Sequence, residues 1–177
     1  MRRFLIISNS VDVSQPLSLN SLTAYGRVDV ICRCISSAFY LSNDFRKDVI
    51  LGVFFEKNQK FMEINGNEVR GLNPDERAIA GVLKKVFQGK KFPGINFQEQ
   101  KLDILFQSQS VLLLDKDGIK LDSKISESNI YVIGDHLGFQ IEDKELLKNF
   151  RRISLGETEY MSSHVITILH FLMDSHR

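Results

Sequence analysis

The sequence predicts an α/β protein built on a mainly parallel sheet flanked by helices. Three observations predict it. Short apolar runs have the length of strands, amphipathic runs with helical spacing lie between them, and glycines and polar residues gather just after the last three strands. A parallel strand buried on both faces reads as a continuous apolar run, as Leu5-Ile6-Ile7, Val111-Leu112-Leu113-Leu114 and Ile130-Tyr131-Val132-Ile133 do.

Each element follows from its own residues. Arg3–Ile7 reads as the first strand; its opening is basic then apolar, like a secretion signal, but the apolar stretch is too short to be one. Gly26 opens a helix in which Val28, Ile31, Cys32, Ile35, Ala38 and Phe39 keep the spacing of one buried face. Arg27, Asp29, Arg33 and Ser37 lie opposite. Strands are expected at Asp48–Glu56 and Lys60–Ile64, around a polar turn at Asn58. Asn73-Pro74-Asp75-Glu76 predicts a helix start with Asn73 as cap and Pro74 in the first position; that helix runs to about Phe87 and ends at Gly89. Past the loop Lys90–Ile95, Phe97–Phe106 reads as a short helix. Val111–Leu114, Ile130–Ile133 and Arg152–Leu155 are the next strands, and Glu159–Met173 a long, largely apolar helix.

A chain of 177 residues without repeat, low-complexity segment or linker fits one domain, 1–177. The 43% hydrophobic and 25% charged content is ordinary for a globular protein. No apolar run reaches the roughly 18 residues of a membrane span, so a soluble, cytoplasmic protein with no membrane partner is expected. A net charge of +1 excludes a polycation and leaves any nucleic-acid binding to a local patch. Cys32 and Cys34 point to different sides of their helix and lack further ligands nearby. They read as small buried thiols in a reducing compartment, with no metal.

Ligands of open α/β sheets sit beyond the carboxyl ends of the strands. Here those ends are Leu114-Asp115, Gly134-Asp135-His136-Leu137-Gly138 and Leu155-Gly156-Glu157-Thr158. As parallel neighbours the three loops converge on one site, and their glycines let backbone approach a ligand closely. No G-x-G-x-x-G, P-loop, H-E-x-x-H or G-x-S-x-G is present. The pattern alone predicts a small-molecule site near the C-terminus.

Several segments resemble a known family in order along the chain. They are Gly26-Arg27-Val28-Asp29, Cys32-Arg33-Cys34, Leu41–Val49, Pro74-Asp75-Glu76-Arg77 and Phe92-Pro93-Gly94-Ile95, then Ile133–Gly138, Arg152–Gly156 and Ser163–His170. The set is similar to the archaeal tRNA pseudouridine N1-methyltransferases (TrmY type) of the SPOUT superfamily. The resemblance implies a SPOUT fold with a deep C-terminal trefoil knot, the knotted cofactor-binding part being roughly 108–177. It implies S-adenosylmethionine as cofactor, tRNA as partner, methylation of N1 of pseudouridine 54 in the T-loop, and a homodimer with the last helix at or near the interface. Knots are rare in general, so that expectation rests on the resemblance. Carried over by position, Leu114, Gly134, Leu155, Gly156, Glu157, Thr158, Glu159, Tyr160 and Val165 are the cofactor-binding residues. Val165 stands where the family often has cysteine, and the stretch between Leu83 and Gln100 is short for the family.

Methyl transfer needs placement of the acceptor nitrogen and a destination for its proton. Asp29 and Arg27 are the candidate catalytic residues. Asp29 would accept the proton or, alternatively, only pair with Arg27 and Arg33. Arg27, Arg33, Arg46 and Arg77 are candidate RNA contacts, since guanidinium forks match phosphate oxygens. Lys84, Lys85, Lys90 and Lys91 form a basic run that reads as a solvated face or a backbone contact. His136 and His164 are expected in structural roles, and His170 as a satisfied core or interface histidine. Asp135 bridges loops or lies near the target base. Competing readings are a SPOUT enzyme acting on pseudouridine in rRNA, a non-catalytic RNA-binding or assembly factor on the same fold, and an unrelated α/β enzyme.

Overall fold

The apolar runs become the centre of one seven-stranded sheet. The computed structural model describes residues 1–107, 110–121 and 129–175. Its strands are β1 (Arg2–Ser8), β2 (Val49–Phe55), β3 (Lys60–Asn65), β4 (Ile95–Glu99), β5 (Val111–Lys120), β6 (Ile130–Gly134) and β7 (Arg151–Ser154). Its α-helices are α1 (Val28–Phe39), α2 (Glu76–Phe87), α3 (Ile141–Leu147) and α4 (Ser162–Asp174). The strand order is β4-β3-β2-β1-β6-β5-β7. β2, β1, β6, β5 and β7 are parallel; β3 and β4 join one edge antiparallel. The expected mainly parallel sheet is what forms.

Alternation along β1 explains its continuous apolar run. Phe4 and Ile6 enter the core shared with α1, α2 and α4, while Leu5 and Ile7 enter the core on the opposite face with Leu102, Phe106 and Leu147. Both faces are covered, so no polar side is needed. Cys32 and Cys34 are free and fully buried, as expected. Burial pushes both thiols up to about 12, which removes them as nucleophiles. No helix among the described residues is long and apolar enough to cross a membrane.

Four expectations need correction. The segment read as a helix over Phe97–Phe106 is strand β4 followed by a 3-10 turn over Leu102–Phe106. Here period two wins over the helical spacing, because β4 pairs with β3 and Phe97 packs on Phe55 and Phe87. Helix α2 begins later than predicted: its cap is Asp75, whose carboxylate accepts from the Ala78 amide at 2.9 Å, and not Asn73. Asp115–Gly118 does not end its strand. Leu114 and Ile119 both pair with Ile153, so residues 115–118 bulge out of a strand that resumes beyond them. The last helix begins at Ser162, which leaves Glu159–Met161 in the preceding loop. α3 was not anticipated, and the expected start of the cofactor-binding part, near 108, lies outside the described residues.

A partly buried polar cluster of side chains fastens α4 to the rest. The fully buried Arg2 lies 2.9 Å from His170 Nδ1 and 2.5 Å from Asp174 Oδ1, and Arg46 reaches Asp174 Oδ2 at 2.5 Å. The other ring nitrogen, Nε2, meets the Ala38 carbonyl at 3.0 Å. A carbonyl accepts, so Nε2 carries the hydrogen and Nδ1 accepts from Arg2: the ring is neutral. Burial first, then the charges of Arg46 and Arg2, lowers His170 from 6.5 to about 4. His170 is thus a satisfied core histidine, as predicted.

Between those two values the unfolded chain binds a proton at His170 that the folded chain refuses. Stability from this residue is therefore complete above pH 6.5, falls as pH drops to 4, and is flat below. The loss is on the order of 3 kcal/mol. Thermal unfolding followed from pH 7 to 4 should show that slope in the parent and a shallower one in His170→Gln; equal slopes contradict it.

Candidate functional site

The carboxyl ends of β1, β6, β5 and β7 lie at the same edge of the sheet, and segments at the ends of β6 and β7, with the β5 bulge, enclose a cavity of about 800 Å³. Its walls come from Leu114–Asp117 at the β5 bulge, Ile133–Phe139 at the end of β6 and beyond it, Ile153–Gly156 and Thr158–Ser163 at the end of β7 and beyond it, and Arg27, Val30 and Arg33 of the α1 region. Leu114, Ile133, Leu155 and Val165 are among its apolar lining. The rim is charged: Lys116 meets Glu159 at 2.8 Å and Arg152 meets Asp115 at 3.5 Å, which ties the β5 bulge to β7 and to the loop beyond it.

Local chemistry shapes each loop. The Ser154 hydroxyl donates to the Gly156 carbonyl at 2.8 Å and accepts from the Gly156 amide at 3.0 Å, holding a tight turn. Gly156 has φ +123, and a Cβ there would meet no atom within 4 Å. The turn thus leaves open space that a side chain would fill. The Ser162 hydroxyl, at the start of α4, donates to the Gly134 carbonyl at 2.7 Å and so joins the third loop to the second.

At the α1 side of the cavity, Arg27 caps α1 in the left-handed region, φ 62 and ψ 46. Its guanidinium grips Asp29 with two hydrogen bonds of 3.0 Å, and Arg33 adds a third at 2.7 Å. Burial would raise the Asp29 carboxyl, but the hydrogen bonds and charges of Arg27 and then Arg33 prevail and hold it below the usual range.

Most of the predicted site residues come together. Leu114, Gly134, Leu155, Gly156, Thr158, Glu159, Tyr160 and Val165 line the cavity, as do Arg27 and Arg33. Glu157 is exposed and does not. Asp29 does not line it either; it is buried behind the arginines with both oxygens occupied, so the ion-pairing alternative describes its contacts. Arg46 and Arg77 stand apart from the cavity, on Asp174 and Asn20 respectively. His136, expected in a structural role, is exposed at the cavity wall, and His164 is exposed on α4. Sequence reading missed Arg152, Lys144 and Ser162, which no spacing rule singles out.

The whole chain, residues 1–177, matches a family described as "Putative SAM-dependent RNA methyltransferase". The chain belongs to that family. Among its relatives, the tRNA (pseudouridine(54)-N(1))-methyltransferase of Methanocaldococcus jannaschii is 32% identical over 203 aligned residues, covering 100% of this chain and 98% of the relative. The protein of the same name from Methanosarcina acetivorans is 33% identical, with 98% and 91% covered. Among solved structures, Archaeoglobus fulgidus Nep1 bound to S-adenosylhomocysteine shares the fold, with a TM-score of 0.78 at 17% identity and 98% and 97% covered.

The cavity fits the cofactor of an S-adenosylmethionine-dependent methyltransferase. Its lining combines apolar side chains that suit a flat purine, the uncrowded Gly156 turn, and polar and charged groups that suit a ribose and an amino acid tail. Among the described residues no cluster of His, Cys, Asp and Glu is arranged to hold a metal ion.

Because Asp29 orients Arg27 and Arg33 without facing the cavity, Asp29→Asn should leave cofactor affinity within about twofold. Methyl transfer should fall about 10- to 100-fold, the scale of a misplaced group in an active site. Calorimetry with S-adenosylmethionine and a turnover assay check the pair of values; parental turnover contradicts the assignment.

Proposed function

We propose that the chain transfers the methyl group of S-adenosylmethionine to N1 of pseudouridine 54 in the T-loop of tRNA. The observation that carries this reading is a cavity formed by three strand-end loops and faced by two arginines, in a chain whose relatives are named for that reaction. The bound cofactor supplies an activated methyl on a sulfonium.

The protein's task is placement. Leu114, Gly134, Leu155, Gly156, Thr158, Glu159, Tyr160 and Val165 hold the cofactor, with Glu157 assigned by family position alone. Arg27 and Arg33, directed by Asp29, bind the RNA beside it. N1 gains the methyl as the carbon–sulfur bond breaks, its electron pair staying on sulfur, and the N1 proton passes to water. Asp29, held ionised by two guanidiniums, is a poor proton acceptor and serves as their anchor. Arg46 and Arg77 make their contacts within the chain and act as fasteners.

The trefoil knot belongs to the same proposal. Supporting it, the chain leaves the edge strand β7 and returns to α1 and β6, with Ser162 on the Gly134 carbonyl. A homodimer through α4 is supported by Phe171, 68% exposed on a helix otherwise rich in buried apolar residues, and by the exposed Tyr160 and Met161 ahead of it. A reducing cytoplasm suits a tRNA substrate and two free thiols.

The deciding experiment offers labelled S-adenosylmethionine with tRNA containing or lacking pseudouridine 54. Transfer to the first alone is expected; equal transfer to both overturns the specificity. For the dimer, light scattering should give twice the chain mass for the parent and one chain mass for Phe171→Asp. A monomeric parent refutes that part.

A further inference from the structure

Asp135 is a buried carboxylate at the wall of the cavity, 6% exposed, and among the described residues every hydrogen bond it accepts comes from a peptide N–H or a hydroxyl. One oxygen takes the Leu137 amide at 2.8 Å, within its own loop. The other faces the turn after β1: the Asn9 amide at 2.8 Å, the Ser10 amide at 3.1 Å, and the Ser8 and Ser10 hydroxyls at 3.2 and 2.8 Å. A buried charge without a cation is costly, and so many donors from one short turn hold that turn in a single conformation.

The fixed turn is what Gly26 rests on. The Ser10 hydroxyl also lies 2.5 Å from the Gly26 carbonyl and shares its proton between that oxygen and Asp135. Gly26 packs so closely on Ser10 that a Cβ would stand 2.0 Å from the Ser10 carbonyl oxygen. Gly26 and Arg27 are then both left-handed, φ 56 and 62, a conformation that costs energy in a non-glycine residue and persists where neighbours enforce it.

We infer that Asp135 is a positioning residue: through Ser10 and Gly26 it sets the backbone of Arg27, so that the loop on the cofactor side fixes the guanidinium on the RNA side. The inference rests on the function proposed above for its meaning, but the linkage has a readout of its own. Ser10 does not line the cavity, so changing it tests the link without altering the cofactor site.

In Ser10→Ala, kcat for tRNA methylation falls about tenfold or more while the KM for S-adenosylmethionine stays within about twofold. Ser10→Thr, which keeps the hydroxyl, retains activity. In an Arg27→Lys background the Ser10→Ala change adds no further loss, because the two act on one element. Parental kcat in Ser10→Ala, or losses that multiply in the double variant, overturn the inference. Should Ser10→Ala not fold, Ser10→Cys, which keeps the bulk and weakens the donor, enters the same cycle and is read the same way. Independently of activity, the side-chain Nε–H resonance of Arg27 in cofactor-free protein should shift in Ser10→Ala and not in Ser10→Thr. An unmoved resonance overturns the linkage even in a parent that methylates tRNA, whereas a shifted one in a parent that does not would fault the proposed function alone.

Discussion

Parallel pairing of β1, β6, β5 and β7 is the constraint on which the rest depends. In a parallel sheet every strand ends at the same edge, so four chain segments far apart in sequence must turn within one small volume. Their peptide groups can no longer pair with neighbouring strands and need other partners. The serines and Asp135 supply them: Ser154 for Gly156, Ser162 for Gly134, and Asp135 for the turn after β1. A cavity lined by backbone follows from the topology before any ligand is considered.

Charge is distributed across that cavity with a clear division. The Asp29 carboxylate, out of reach of the cavity, organises two guanidiniums that face it, so cationic side chains are presented in fixed positions instead of sweeping through solvent. The rim pairs Lys116–Glu159 and Arg152–Asp115 connect loops to each other. They are exposed, and such pairs contribute little to stability. Their value is in holding the bulge after Leu114 against β7. At the far end of α4, the Arg2, His170 and Asp174 cluster performs the corresponding task for the helix that carries Val165.

What could be read from the sequence follows the range of the interactions. α1 was legible because Val28, Ile31, Cys32, Ile35 and Ala38 repeat within one helix, and each is buried. The strand-end glycines were legible because a turn is local. The Phe97–Phe106 segment was misread because its apolar residues suit a helix, and the decision lay with β3, which paired Phe97 opposite Met62. The start of α2 was ambiguous because Asn73 and Asp75 can both cap, and only Asp75 meets an amide of the first turn. The pairing of Arg46 with Asp174 was not legible because the partner lies 128 residues away. The left-handed backbone of Arg27 is likewise set by Ser10 and Asp135, and no local pattern announces it.

The central claim is that these turns close on one adenosyl-bearing cofactor, and titration calorimetry tests it most directly. The purified protein titrated with S-adenosylmethionine should release heat for one site per chain, with a Kd of about 100 µM or tighter, roughly 5.5 kcal/mol of binding free energy. S-adenosylhomocysteine added first should abolish that heat. Absence of binding in this range, with the protein folded, would contradict the account and favour a factor that keeps the fold without the reaction.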